Sequence, residues 1–284
     1  MPDDSAGADT GATDADVAAI GADALADTAV RAVEAGGDYL REAFADGATP
    51  ADYTATDVKA EADREAERRV LDAIADAHPD HRVSAEESGD HDGDGDYRWV
   101  VDALDGTNNF AAGIPTFGVA ATACERSGPG GPENEPVATA VHVPMLGDTY
   151  VAERGNGVRH DGDPVEVTDG ATLPPAKATV ATIVGPEVVS GGAERREWDA
   201  VVDAVAEVPK RVVETWAPVV YWGLLARGKL EGFVCYYPAE REQVAGSLLA
   251  LEAGAVARAE GPLTVFGADR EIRDALFDAA TDAL

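Results

Sequence analysis

The chain has 284 residues, 54 of them acidic and 22 basic, for a formal charge of −32. An apolar share of 45% on that length supplies a sizeable core, which excludes disorder of the whole chain. Nucleic-acid binding through basic patches is excluded by the charge, and no stretch approaches the ~18 uninterrupted apolar residues of a membrane span. Residues 1–15 are small, polar and acidic, without the apolar segment of a signal peptide, and read as a disordered tail. Leu25, Ala29, Val33, Gly36, Leu40 and Phe44 recur at spacings of three and four, the stripe of a first helix. A second helix is expected over Val58–Ala77, ahead of Pro79. Strand-like runs follow at Arg82–Ala85, Trp99–Val101, Phe117–Cys124, Val137–Val143 and Thr149–Glu153, with a loop at Gly128–Pro136.

After about residue 175 strands and helices alternate. Strands are expected at Thr179–Val184, Arg211–Glu214, Leu230–Cys235 and Leu263–Phe266. Helices are expected at Ala193–Val208, from Pro218 to Gly228, at Val244–Ala255 and at Asp269–Leu284. The chain thus divides into a tail (1–15), an N-terminal α+β half (16–175) and a C-terminal α/β half (176–284).

Basic charge is carried by only four lysines against eighteen arginines. Acid excess spread over nearly every segment reads as adaptation to concentrated salt, where a Debye length of roughly 3 Å screens self-repulsion. Cys124 and Cys235 fit no zinc or redox spacing, and a reduced cytoplasm is the expected setting.

The most informative segment is Trp99–Phe110, WVVDALDGTNNF. An apolar strand delivers Asp102 and then Asp105, two carboxylates that can converge on one hard, oxygen-seeking cation. The carbonyl of Leu104, between them, is a further candidate ligand. Gly106 lets the backbone approach an anion closely, and N–H groups at a following turn or short helix suit a phosphate. In so acidic a chain an Asp/Gly-rich turn is the competing reading. The five histidines form no ligand pattern. Asp90, Asp92, Asp94 and Gly95 match the start of an EF-hand loop, but Val101 stands where its final Glu belongs, so this stretch reads as a surface loop.

The run Asp102–Phe110 resembles the D-P-[LI]-D-G-T-x-N-F signature of the inositol monophosphatase family, magnesium-dependent and lithium-sensitive sugar phosphatases. Ser84–Ser88 (SAEES) is similar to the family's G-E-E-S element, and Asp57–Asp63 (DVKAEAD) to its D-L-V-T-E-A-D element. Gly155–Thr168 resembles a conserved-type hairpin, and Leu251–Ala255 (LEAGA) a late helix end. The likeness spans roughly residues 17–284. It implies a layered α-β-α-β-α sandwich with the active site between the halves. It also implies two or three Mg²⁺ ions held by Glu86, Asp102, the Leu104 carbonyl and Asp105. Asp63 and Thr107 would handle the attacking water, with Glu86 beside them. Leu104, Asp105, Gly106 and Thr107 would line the phosphate, and Glu87 would stand just outside or serve a weaker metal site. A homodimer is a further family expectation.

Several positions depart from that pattern. The late W-D-x-A-[AG]-G run is replaced by Arg241-Glu242-Gln243-Val244, so Glu242 stands for the usual second-metal Asp, with Glu240 a close competitor. Arg241 at the pocket would favour a second phosphate or a carboxylate on the substrate. Thr215-Trp216-Ala217-Pro218 replaces a G-S-A-A run of the substrate wall, Cys235 stands where a hydroxyl-contacting Glu is usual, Asp52 falls where a lysine is usual, and Ala103 replaces Pro. The resemblance implies hydrolysis of inositol monophosphate or a related small sugar phosphate, with no membrane or nucleic-acid partner. The alternatives are a fructose-1,6-bisphosphatase, a nucleotide 3′-phosphatase, and an impaired relative that binds a phosphorylated ligand without turnover.

Overall fold

The computed structural model describes residues 21–47, 51–53, 58–125, 135–170, 173–189 and 191–284. The acidic stretch 1–15 and most of the expected loop 128–136 lie outside them. The first described element is α1 (Ala22–Ala45), followed by the hairpin strands β1 (Ala51–Tyr53) and β2 (Val58–Ala60) and by α2 (Glu61–Ala77). Next come β3 (Arg82–Ala85), β4 (Gly89–His91), β5 (Tyr97–Asp105) and the single turn α3 (Thr107–Ala111). A meander follows: β6 (Gly118–Glu125), β7 (Glu135–Val143), β8 (Asp148–Glu153), β9 (Gly157–His160) and β10 (Asp163–Val165). The remainder is β11 (Thr179–Val184), α4 (Pro186–Val189), α5 (Ala193–Ala206), β12 (Arg211–Glu214), α6 (Pro218–Ala226), β13 (Gly232–Tyr236), α7 (Glu240–Glu252), β14 (Val256–Glu260), β15 (Leu263–Gly267) and α8 (Arg270–Asp282).

Two sheets carry the architecture. One has eight strands in the order β10-β9-β8-β7-β6-β5-β3-β4, antiparallel except where β3 meets β5. The other has five, β12-β11-β13-β15-β14, with β11 parallel to both its neighbours. Near-continuous apolar runs along the central strands bury both faces of both sheets. Trp99, Val101, Val119 and Ala121 face Leu25, Val33, Leu40, Val70 and Ile74 of α1 and α2. The opposite face, with Ala120 and Val141, meets Val219, Trp222, Leu225 and Leu249 of α6 and α7, which also cover Ala181, Phe233 and Phe266 of the second sheet. That sheet's outer face, with Val180, Val234 and Val265, is closed by Trp198, Val201, Ile272 and Leu276 of α5 and α8. The result is the layered α-β-α-β-α sandwich: two helices, a sheet, two helices, a sheet, two helices.

Specific polar ties join the layers. Glu252, at the end of α7, accepts from the Gly155 and Gly157 amides at 2.8 and 3.1 Å and so holds the β8–β9 turn. Arg227, just past α6, pairs with Asp148 of β8 at 3.1 Å. His160 lies 3.3 Å from both Asp148 and Asp161, so this acidic cluster already has Arg227 as its cation. No helix among the described residues is long and apolar enough to cross a membrane.

Several expected bounds move: the strand expected at Trp99–Val101 extends over Tyr97–Asp105, that at Leu230–Cys235 runs over Gly232–Tyr236, and two helix starts shift. Val58–Ala60 is a strand paired with Ala51–Tyr53, and the second helix begins only at Glu61. The helix expected from Val244 begins at Glu240, one polar turn earlier, and that turn carries Arg241 and Glu242. Residues 90–95 contain no EF-hand: Asp90 pairs with Ser84 in the sheet, and the Gly95 amide donates to the Asp80 carbonyl at 2.7 Å.

Candidate active site

Asp102 and Asp105 sit three residues apart on one strand, where strict alternation would send them to opposite faces. A β-bulge prevents this. Asp102 pairs with Ala120 and Asp105 with Gly118, so three steps on β5 match two on β6. The extra residue is absorbed where Ala103 and Leu104 both join the core against α1 and α2. Both aspartates therefore emerge on the face that meets α6 and α7.

Oxygen atoms of Asp102, Asp105 and Glu242 all lie within 4.8 Å of one another. Glu242 reaches them from the first turn of α7, where the helix N-terminus favours negative charge. Glu240 points elsewhere, pairing with Arg98 at 3.7 Å, and so yields the position to Glu242. These three line an open cleft together with Glu86, Leu104, Gly106, Thr107 and Asn108. Its other wall consists of Ile183, Val184, Pro186, Val189, Trp216 and Pro218.

The carboxylates strain against one another. Burial pushes Asp102 well above the usual carboxylate range, and Glu86, Glu242 and Asp63 add repulsion, opposed by Arg241. Asp105 is raised by burial and by Asp102 and Glu242, and held back by the Val219 amide, which donates to its Oδ2 at 2.7 Å. Glu242 is pushed up to about 8 by burial and then by Glu86. Asp102 Oδ1 is buried with no hydrogen-bond partner. An all-oxygen donor set with an orphaned buried carboxylate oxygen fits a hard divalent cation such as Mg²⁺.

Gly106 has a φ of 92°, a left-handed conformation that favours glycine, and a Cβ there would lie 2.9 Å from Ala217 Cβ. The turn into α3 is thereby packed against the start of α6. Thr107 Oγ1 lies 3.0 Å from the Leu104 carbonyl and 3.4 Å from Oδ2 of Asp63, which is buried in the first turn of α2. The Thr107–Asp63 pair is thus assembled beside the carboxylates, as the sequence motifs imply.

Glu87, expected just outside the phosphate site or at a weaker metal site, and Arg241, expected at the pocket, are not among the residues that line the cleft. Glu87 turns away to pair with Arg64 at 3.2 Å, because Glu67 grips the backbone on either side of it. Glu67 accepts from the Glu87 and Ser88 amides at 2.7 and 2.8 Å. Arg241, one position before Glu242 on the helix, stands behind the carboxylates with an N–H 3.5 Å from the Ala85 carbonyl. Cys235 is fully buried in β13 and adds no polar group to the wall. Glu67 itself has no sequence signal, being one acid among many on α2; only the shape of the 86–88 turn reveals it.

The profile of the inositol monophosphatase family matches residues 22–275. The chain belongs to the inositol monophosphatase family. Within it, the chain is 34% identical over 208 residues to an inositol-1-monophosphatase of Rhizobium meliloti, an alignment covering 72% of this chain and 71% of the relative. It is 35% identical over 117 residues to a fructose-1,6-bisphosphatase/inositol-1-monophosphatase of Thermotoga maritima, covering 41% of this chain and 42% of the relative. In structure it resembles the extragenic suppressor protein suhB from Bartonella henselae, with a TM-score of 0.79 at 23% identity over 92% of this chain and all of that one. Family membership accounts for the sandwich and the motif order.

Proposed function

We propose that the chain is a Mg²⁺-dependent phosphomonoesterase of small phosphate esters. The observation that carries this reading is the convergence of Asp102, Asp105 and Glu242 in one cleft beside the Thr107–Asp63 pair. Glu86, Asp102, the Leu104 carbonyl, Asp105 and Glu242 would hold two or three Mg²⁺ ions, which when bound neutralise phosphate charge and acidify a bound water.

The chain's own residues do the rest. Gly106 and Thr107 present backbone N–H groups to the phosphoryl oxygens, with no Cβ at Gly106 to keep them away. Thr107 Oγ1 takes a proton from the attacking water and passes its own to Asp63 Oδ2. Glu86, from the turn braced by Glu67, orients that water. The Val219 amide fixes the Asp105 carboxylate, so one of its oxygens is committed before substrate arrives. Arg241 lies behind the carboxylates and not on the cleft wall, so it offers no seat for a second phosphate, and monophosphates are preferred to fructose 1,6-bisphosphate.

The test is phosphate release in concentrated KCl, with and without Mg²⁺, from inositol 1-phosphate, glycerol 2-phosphate and fructose 1,6-bisphosphate. Mg²⁺-dependent release that disappears in Asp105→Asn supports the reading. No release from a correctly folded protein, across this set and aromatic esters, would sink it and leave ligand binding without turnover.

A further inference from the structure

The cleft is chemically two-sided. Its phosphate end holds every charged lining residue, Glu86, Asp102, Asp105 and Glu242, together with Thr107 and Asn108. The rest of its lining is Ile183, Val184, Pro186, Val189, Trp216 and Pro218. None of these six side chains except the indole carries a hydrogen-bonding atom, and the indole has only one donor. A polyol seated there would leave hydroxyls unpaired against apolar surface, an unfavourable exchange for each group that loses its water.

The wall is held in place from both sides. Thr215 Oγ1 accepts from the Ala217 amide at 3.0 Å, fixing the turn that displays Trp216. Next along the chain, Val219 donates to Asp105, so the indole is tied to the phosphate end. Opposite, Gly185 lies so close to the Tyr237 carbonyl that any Cβ would collide with it, and its amide donates to the Tyr236 carbonyl at 3.0 Å. That contact sets the base of the 186–189 turn. Trp216 is 44% exposed, whereas Trp99, Trp198 and Trp222 are fully buried. A large aromatic ring left open to solvent in a cleft that it shares with aliphatic side chains is a recognition surface for a flat apolar group.

We infer that the preferred substrate, on the phosphomonoesterase reading above, carries a planar aromatic or heteroaromatic group that packs between Trp216 and the Val184–Val189 turn. Trp216 is a specificity-determining residue and takes no part in the chemistry.

The test compares two primary alkyl esters of similar leaving-group chemistry, 2-phenylethyl phosphate and sorbitol 6-phosphate. The phenylethyl ester should have the higher kcat/KM, by roughly tenfold or more from aromatic stacking. Trp216→Ala should remove most of that advantage through KM with kcat little changed, Trp216→Phe should restore most of it, and the sorbitol ester should respond far less. Binding is read independently as protection of Trp216 from acrylamide quenching, since the other three indoles are buried. The phenylethyl ester should protect; inorganic phosphate should not. Equal or better turnover of the sorbitol ester, or equal effects of Trp216→Ala on both, would overturn the inference. If neither ester nor inositol 1-phosphate, glycerol 2-phosphate or fructose 1,6-bisphosphate is hydrolysed, the phosphatase reading fails by itself; protection by the phenylethyl ester alone would still support the wall, and no protection would overturn it.

Discussion

The amide of Val219 donates to Asp105 Oδ2 at 2.7 Å, across 114 positions of sequence. Pro218 opens α6 and has no N–H, so Val219 supplies the first free amide of that helix. One bond thus joins the first sheet to the helical layer at the point where the chemistry is proposed. Asp105→Asn keeps an acceptor for Val219 and removes the charge. It should fold normally while phosphate release falls by about a hundredfold or more. Asp105→Ala should lose release as well, plus roughly 1–3 kcal/mol of stability for the buried amide left unpaired. Thermal melts of the two variants side by side separate these effects.

Asp102 should behave in the opposite sense. Its carboxylate is buried, repelled by Glu86, Glu242 and Asp63, and has one oxygen with no partner. In chelator-treated protein, Asp102→Asn should raise the melting temperature by a few degrees, since roughly 1 kcal/mol is worth about 2–4 °C at this chain length. The wild type should gain stability on Mg²⁺ titration, and Asp102→Asn should gain little. A variant that is less stable without metal, or stabilised by Mg²⁺ as much as the wild type, would contradict the arrangement.

Glu67 braces the turn that presents Glu86 through two backbone amides. Glu67→Ala should raise the Mg²⁺ concentration for half-maximal activity by about 10- to 100-fold, the usual cost of losing a residue that orients a ligand. Glu67→Gln, which keeps one acceptor oxygen, should recover part of the loss. An unchanged Mg²⁺ requirement in both would remove Glu67 from the site.

His81 sets an acid limit. Its Nδ1 accepts from the Trp99 indole at 3.1 Å, so that nitrogen must be unprotonated, and His78 stacks on it at 4.5 Å. Burial, and then His78, hold its pKa below the ordinary 6.5. A histidine lowered on folding binds fewer protons in the native state than in the unfolded chain, so its stabilisation is present above pH 6.5 and lost as pH falls toward the depressed value. The wild type should therefore lose more stability than His81→Gln between about pH 7.5 and pH 5. Urea midpoints measured across that range decide it, and parallel curves for the two proteins would be evidence against the coupling.

The charge of −32 predicts a salt requirement. Raising KCl from about 0.1 M to 1 M shortens the Debye length from roughly 10 Å to 3 Å and screens repulsion over the whole surface. The melting temperature should climb over that range, and a neutral osmolyte at matched water activity should reproduce only a part of the gain. A flat response to KCl would show that the acidic surface is not tuned to salt.

Much of this molecule is legible in the sequence where a short apolar run stands between polar or glycine-rich breaks. Arg82–Ala85, Thr179–Val184 and Arg211–Glu214 are strands at the expected bounds. Elements without that contrast are not. The edge strand Val256–Glu260 is mostly exposed and shows no apolar face, and the first turn of α7 has an Ala239 N-cap that makes no side-chain bond, so nothing signals its start. Among site residues, Asp63, Glu86, Asp102, Asp105 and Thr107 stand in motifs and come together. The turning away of Glu87 and Arg241 depends on Glu67, Arg64 and the Ala85 carbonyl, contacts between segments that no local pattern encodes.

The bulge in β5 makes chain length, more than side-chain identity, the fragile variable of this site. Two aspartates share a face because one strand runs a single residue longer than its neighbour between the same two rungs. Adding one residue to β6 between Gly118 and Ala120 would match three steps with three, restore alternation and turn one of the two acids toward α1 and α2 with both still in the sequence. Substitutions can tune such a centre by degrees; a one-codon insertion in the neighbouring strand switches it off.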